Sequence, residues 1–337
     1  MFELVPDEGS AIPFFPDNNA EITREAAQVV ELNGTWGVPE KAITVMRVKT
    51  GHFTVNISIN TVRKANRMVV TFQGARGGGK DSTNSTRPMF ARRNWESLFE
   101  APILAISDPL TEIEWNSNVP RAAFYAGTFA NDLVPELNAL IDVVCDKIGV
   151  PRDGVLMYGS SAGGTSAILV GSHRRTKTGI VAVCPFLRPD KYREQVVAIG
   201  VREAMGGDME QYEAMMRDEP WRMNPLVALK DGLQAGNDVR LVVGQNLKDK
   251  STINRHFPGL WRRWDIDPEG GTSPDGRVMT VMYNSPEAGH GHEPPEYSRP
   301  LWKQALEFFD APVAQRSKKA AKAGGKKKAD DDGDDDE

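Results

Sequence analysis

The residues best suited to chemistry lie in VLMYGSSAGGTSAILVG, positions 155–171. Within it, Gly159-Ser160-Ser161-Ala162-Gly163 is a G-x-S-x-G pattern centred on Ser161. The apolar run at 155–158 predicts a strand, and the apolar pattern after Gly164 predicts a helix. That is the strand–turn–helix setting in which a serine hydroxyl is pushed out over the end of a sheet. Side chains at the two glycines would crowd so sharp a turn. A serine held this way can attack a carbonyl carbon. The N–H of Ala162, at the start of the helix, points into the same space and can hold the oxygen as it becomes negative. A glycine–serine loop without chemistry has the same composition. The difference lies in whether an acid and a base follow in a usable order.

At this segment the chain resembles the α/β-hydrolase superfamily, and the resemblance extends over about residues 43–309. It implies a serine, then an acid, then a histidine, each following a strand. The acid falls on Asp249: VRLVV at 239–243 reads as a strand, Gly244 follows, and the aspartate comes a few residues later. A carboxylate there can hold a histidine in one tautomer and stabilise its cation. It can equally cap the helix that begins near Ser251. Asp265 and Asp267 compete, but they follow an aromatic and basic helix and lie too far past the strand end. The histidine falls on His290, directly after Gly289 in the loop beyond the strand RVMTVMY at 277–283, with His292 as the alternate or as a substrate contact. Histidine titrates near neutrality, so it can take the serine proton and return it to a leaving group. The second oxyanion donor is implied in the loop after MVVTF at 68–72. Superfamily members often carry His-Gly there; here Gln73 replaces the histidine, and Gly74 and Ala75 are the expected backbone donors. Arg76 either turns inward to read a negative charge on the substrate or outward into solvent. His52, His173 and His256 have no such setting.

The fold class this implies is α/β: an α/β-hydrolase fold with a mostly parallel central sheet, antiparallel N-terminal edge strands, helices on both faces and a helical lid insertion. The segments that must position the site read accordingly. Residues 1–40 are polar and proline-bearing, an irregular lead-in. Alternating runs at 43–49 and 52–60 predict an antiparallel hairpin turning at Gly51. A strand at 68–72, a short helix at 91–99, a strand at 102–107 and a helix over 129–148 lead to the Ser161 turn. Asp108, at a strand end, is assigned a structural role. A strand at 179–184 closes the first part of the core, 41–186. The methionine-rich stretch 187–236 is the expected lid. Core packing accounts for most of its methionines, and Trp115 and Trp221 are candidate linings of an apolar cavity. The second part of the core, 237–311, ends in a helix over 297–309.

The chain has 337 residues and a net charge of −5, enough for one large α/β domain with an insertion or for two small ones. Its two cysteines, Cys145 and Cys184, lie far apart in apolar surroundings and read as buried free thiols. No H-E-x-x-H and no cysteine pair occurs, so no metal and no cofactor are expected. The glycines at 77–79 run into Lys80-Asp81-Ser82, which lacks the ending of a phosphate-binding loop. The first residues lack a basic region followed by an apolar core, and no run is long enough to span a membrane; the expected location is cytoplasmic. Residues 312–337 pair a basic block with an almost wholly acidic end, a composition that predicts a disordered, solubilising tail and argues against nucleic acid as a partner. The expected activity is cleavage of a carboxylic ester on a small-molecule or acyl-bearing substrate, with Ser161, Asp249 and His290 as the triad. A non-catalytic scaffold, an acyltransferase, a thioesterase and an amidase are the alternatives; oligomeric state is left open.

Overall fold

Short strands that are apolar along their whole length belong in a sheet covered on both faces. Six such strands form the centre of the computed structural model, which describes residues 29–76, 88–113, 121–188, 205–285, 289–290 and 293–313. They are β4 (Met68–Phe72), β5 (Ile103–Ile106), β6 (Val155–Ser160), β7 (Thr178–Val183), β8 (Val239–Asn246) and β10 (Val278–Tyr283), and every residue in them is buried. Among the described residues β1 (Val29–Glu31), β2 (Ile43–Lys49), β3 (Thr54–Asn60) and β9 (Gly271–Thr272) complete the sheet. The strand order is β1-β2-β3-β5-β4-β6-β7-β8-β10-β9. The six central strands are mutually parallel, whereas β3 runs against both its neighbours and β9 runs against β10.

Side chains alternate between two cores, as the period of a strand requires. On one face Met68, Val70 and Phe72 of β4 and Met157 of β6 meet helices α2 (Leu133–Ile148), α3 (Ala162–Ser172), α5 (Pro225–Gln234) and α6 (Lys250–Trp264). On the other, Val69, Leu156 and Tyr158 meet α1 (Glu96–Phe99) and α7 (Pro295–Asp310). A third cluster gathers Ala162, Phe186, Met205, Met215 and Met223, together with Tyr212 of α4 (Met209–Asp218).

Several segments differ from expectation. The lead-in contributes β1, which pairs in parallel with β2 and places one more strand outside the hairpin. The helix expected over 91–99 is confined to Glu96–Phe99; Arg92 has a positive φ of 57°, which a continuing right-handed helix does not accommodate. In the stretch expected as a lid, residues 189–204 lie outside the described residues. Its last helix, α5, places Leu226 and Leu229 in the main core beneath the sheet. Met205, Met215 and Met223 are buried, as core packing predicts. Residues 314–337, most of the expected tail, also lie outside the described residues. Cys145 and Cys184 are buried thiols not joined in a disulfide, and burial pushes the Cys145 thiol up to about 11.

The strand order reverses between β4 and β6: the chain leaves β4 for β5 on one side, then crosses back to β6 on the other. In open α/β sheets the connections diverge beyond the carboxyl ends of the strands at such a reversal, and ligands bind there. Ser161 stands there, at the end of β6. Phe72 pairs with Gly159 across the strands, so residues 73–75 emerge beside the turn. The helix following that turn lies nearly on β4. A Cβ on Gly163 would fall 2.5 Å from the Phe72 carbonyl oxygen and 2.7 Å from that of Gln73. Gly163→Ala should therefore lower stability by about 1–3 kcal/mol, read as a fall in Tm of at least about 2 °C in thermal unfolding. An unchanged Tm would show that α3 is not pinned by this contact.

Candidate active site

The backbone at Ser161 is strained. Its φ of 53° and ψ of −124° lie where a side chain is rarely tolerated. Two hydrogen bonds fix the turn: the Ser161 N–H donates to Val183 O at 2.8 Å, and the Thr165 N–H donates to Ser161 O at 3.1 Å. Thr165 Oγ1 also exchanges hydrogen bonds with the backbone of Phe186, at 2.9 and 3.0 Å, tying the loop after β7 to the turn. The result is a half-buried serine at the head of a wholly buried helix.

Ser161 Oγ lies 2.9 Å from His290 Nε2, and His290 Nδ1 lies 2.6 Å from Asp249 Oδ2. With Nδ1–H donating to the carboxylate, Nε2 accepts from the serine hydroxyl. Asp249 is almost buried, at 6% side-chain exposure, while His290 keeps 32%. Burial pushes the Asp249 carboxyl up, but hydrogen bonds from His290 and Thr252 outweigh it and hold the group below its ordinary range. The same residue caps α6, its Oδ1 accepting from the Thr252 N–H at 3.1 Å. One Asp249 oxygen thus caps the helix and the other contacts the imidazole. Thr252 Oγ1 lies 3.1 Å from His290 Nδ1, and the Phe186 ring stacks on the imidazole at 4.8 Å. Asn246 Nδ2 donates to Ser285 O at 3.0 Å and to Gly289 O at 3.3 Å, anchoring the loop that carries the histidine.

Gly74 and Ala75 are accessible beside the turn, and the Ala162 N–H, first in its helix, has no partner within that helix. Gln73 explains how the loop is held. Its Nε2 donates to Thr111 Oγ1 at 2.8 Å, its Oε1 accepts from Ser107 Oγ and the Asp108 N–H, and its own N–H donates to the Tyr125 hydroxyl. Tyr125 in turn donates to Ile106 O at 2.6 Å. Arg76 does not turn outward into solvent: it is buried, donating from Nη2 to Thr111 Oγ1 at 3.2 Å near Glu112 and Asp108. Trp221 packs half-buried on the third cluster. Trp115 and His292 lie outside the described residues.

Sequence reasoning missed Thr252, Phe186 and Arg92. Arg92 lies under the turn, donating to Ser160 Oγ, 3.5 Å from Glu293 Oε2 and stacked over the rings of Trp95 and Tyr158 at 4.9 and 5.0 Å. Glu293, fully buried, also accepts from Ser160 Oγ at 3.3 Å, and burial pushes its carboxyl up against the pull of Arg92. These partners come from distant segments. The one available signal was the serine at the second position of G-x-S-x-G, which offers a hydroxyl to the interior.

No protein-family model matches the chain, and no curated protein sequence does. Solved structures do. The chain is similar to the capsule O-acetyltransferase of Neisseria meningitidis serogroup A, with a TM-score of 0.52 at 12% identity over 76% of this chain and 92% of that one. A mutant of that enzyme in complex with CoA aligns over 80% of this chain and 95% of its own, again with a TM-score of 0.52 and 12% identity. The fluorophosphonate-binding serine hydrolase F of Staphylococcus aureus, with substrate bound, aligns with a TM-score of 0.50 at 9% identity over 80% of this chain and 99% of that one. At such identities the likeness concerns architecture: the chain has the α/β-hydrolase fold.

The loop network has a measurable acid–base signature. Asp108 accepts from the Leu110 and Tyr125 N–H groups, yet burial pushes its carboxyl up to about 6. An unfolded aspartate titrates near about 3.9, so between roughly pH 4 and 6 the native state binds the extra proton. This group therefore favours folding most at pH 4, and that contribution is lost as the pH rises through about 6. The Tm difference between the parent protein and Asp108→Asn should shift against the parent from pH 4 to 7, by roughly 2 °C or more. A difference constant with pH would exclude the proton-linked role.

Proposed function

We propose that this α/β-hydrolase-fold protein is a serine hydrolase cleaving a carboxylic ester through an acyl-enzyme on Ser161. One observation carries the reading: the unbroken contact from Ser161 Oγ to His290 Nε2 at 2.9 Å and from His290 Nδ1 to Asp249 Oδ2 at 2.6 Å. In this reading His290 takes the hydroxyl proton as Ser161 Oγ bonds to the carbonyl carbon. Asp249 stabilises the resulting imidazolium and holds the ring's tautomer. The N–H groups of Ala162 and of Gly74 or Ala75 receive the negative oxygen. As the tetrahedral intermediate collapses, His290 returns the proton to the departing alcohol. Water, deprotonated by the same imidazole, then displaces the acyl group from Ser161.

Acyl transfer uses the same atoms, with a hydroxyl acceptor in place of water. The likeness to a capsule O-acetyltransferase, including its CoA-bound form, supports that second reading. The scaffold alternative gains nothing from a bonded row of serine, histidine and aspartate, which no packing requirement explains.

A fluorophosphonate probe should label Ser161 in the intact protein and leave Ser161→Ala unlabelled. Hydrolysis of short-chain esters should fall at least about 10³-fold in that variant. In Asp249→Asn the loss should be of similar order, since an amide no longer dictates the tautomer. Asparagine caps helices as well as aspartate does, so the Tm of that variant should stay near the parent's and separate loss of activity from loss of fold. Absence of labelling in folded parent protein would overturn the reading.

A further inference from the structure

Beside the candidate triad, on the far side of Phe186, lies a cleft of about 460 Å³ between α6 and the start of α5. Arg188, Arg255, Arg262 and Arg263 line it, with His256 and Asn224, and no described acidic residue does. In a chain of net charge −5 this is a local excess of one sign. Arg255, Arg262 and Arg263 form no salt bridge among the described residues, and Arg263 is oriented by a 3.1 Å hydrogen bond from Nη1 to Leu226 O. Asn224 uses its Oδ1 to accept the Leu226 and Val227 N–H groups, so its amide presents N–H donors. Like charges grouped on one helix face repel one another unless an anion joins them. The guanidinium forks of Arg255, Arg262 and Arg263 and the Asn224 amide, with no acidic partner among the described residues, match a multiply charged phosphate better than a lone carboxylate.

The cleft is joined to the site by the helix itself. Thr252, which touches His290, and residues 255, 259, 262 and 263 share one stripe of α6 at helical spacing. Gly259 in the middle of that stripe carries no side chain to fill the groove; a Cβ there would meet Leu226 Cδ1 at 3.4 Å. Arg255 comes about one turn beyond Thr252 and Arg262 about three turns, roughly 5 to 16 Å along the axis. His256 continues the connection: its Nδ1 accepts from the Arg188 N–H at 3.2 Å, and its ring meets Phe186, whose other contact is the His290 ring.

We propose that this cleft binds the phosphate-bearing end of the acyl substrate, with the acyl carbonyl delivered to Ser161 along an arm of that length. The assignment rests on the serine hydrolase reading and names its substrate class: an ester or thioester of a phosphorylated small molecule. It calls for a comparison of three substrates with one acyl group: a neutral ester, an ester with a terminal phosphate on an arm of about 10–15 Å, and the same arm ending in a carboxylate. The full-length parent should show a KM for the phosphate ester at least about tenfold below that for the neutral one, with the carboxylate between. Arg255→Gln combined with Arg262→Gln should raise KM for the phosphate ester about tenfold more than for the neutral ester. Inorganic pyrophosphate should compete with the phosphate ester, less well in the variant. Equal KM values in the parent, or equal effects on all three substrates, would overturn the proposal. So would retention of polynucleotide by these arginines without any preference for the phosphate ester. Pyrophosphate binding measured by calorimetry in parent and variant stands apart from turnover, so failure of the triad and failure of the cleft give different results.

Discussion

The contact on which the site depends is the approach of α3 to the end of β4. Gly163 sits so close to the carbonyls of Phe72 and Gln73 that no Cβ fits. That approach brings the end of β6 and the loop after β4 together, as the proposed pairing of Ser161 with an oxyanion donor requires. It also leaves Ser161 at a positive φ, a conformation disfavoured by on the order of 1–3 kcal/mol. Such strain persists only where the surroundings determine the backbone completely. Here they do, because both flanking elements, β6 and α3, are buried throughout and the turn is bonded to Val183.

Buried polar groups then brace the turn from two directions. On one side Gln73, Tyr125, Asp108 and Thr111 bond to one another and to the backbone, so the loop at 73–76 is held by side chains where no strand continues. On the other, Arg92 and Glu293 meet at the Ser160 hydroxyl. Burying such groups is unfavourable unless each finds partners, and leaving one member alone is worse than having none. Both sets therefore behave as units. Their value is geometric: a bonded network admits few arrangements, and a proposed oxyanion donor displaced by an ångström would lose most of its effect.

What could be read in the sequence was the part written locally. Strands β4, β5, β6, β7, β8 and β10 declare themselves as short apolar runs, and the Ser161 turn by its glycines. Asp249 and His290 were legible as strand-end residues in a given order, and the structure brings them to Ser161. The helix at 91–99 was overestimated because its apolar spacing gave no sign that Arg92 would turn out of the helix to reach Ser160. β1 was missed because a three-residue edge strand has too little periodicity to register. Gln73 read as a departure from the usual histidine. Its actual work is bonding to Ser107, Asp108 and Thr111, partners 34 to 38 residues away that adjoin it only once β5 lies beside β4. For Arg76 the sequence leaves inward and outward both open, because a buried partner such as Thr111 is invisible in one dimension.

At the start of helix α6 a capping role and the proposed catalytic role need not compete. The amino-terminal end of a helix carries a partial positive charge. In the proposed mechanism an imidazolium forms at His290, against that end, where the helix field alone would oppose it. Asp249 occupies the cap, satisfies the Thr252 N–H with one oxygen, and turns the other toward His290. Its full negative charge outweighs the half charge of the helix end and reverses the sign of the field at the ring. The cap bond and the histidine together keep its carboxylate ionised despite burial. The residue that starts the helix is thereby the one that makes its amino terminus tolerable to a cation. The arginines further along the same helix begin about one turn beyond Thr252, and the Phe186 ring stacks on the imidazole.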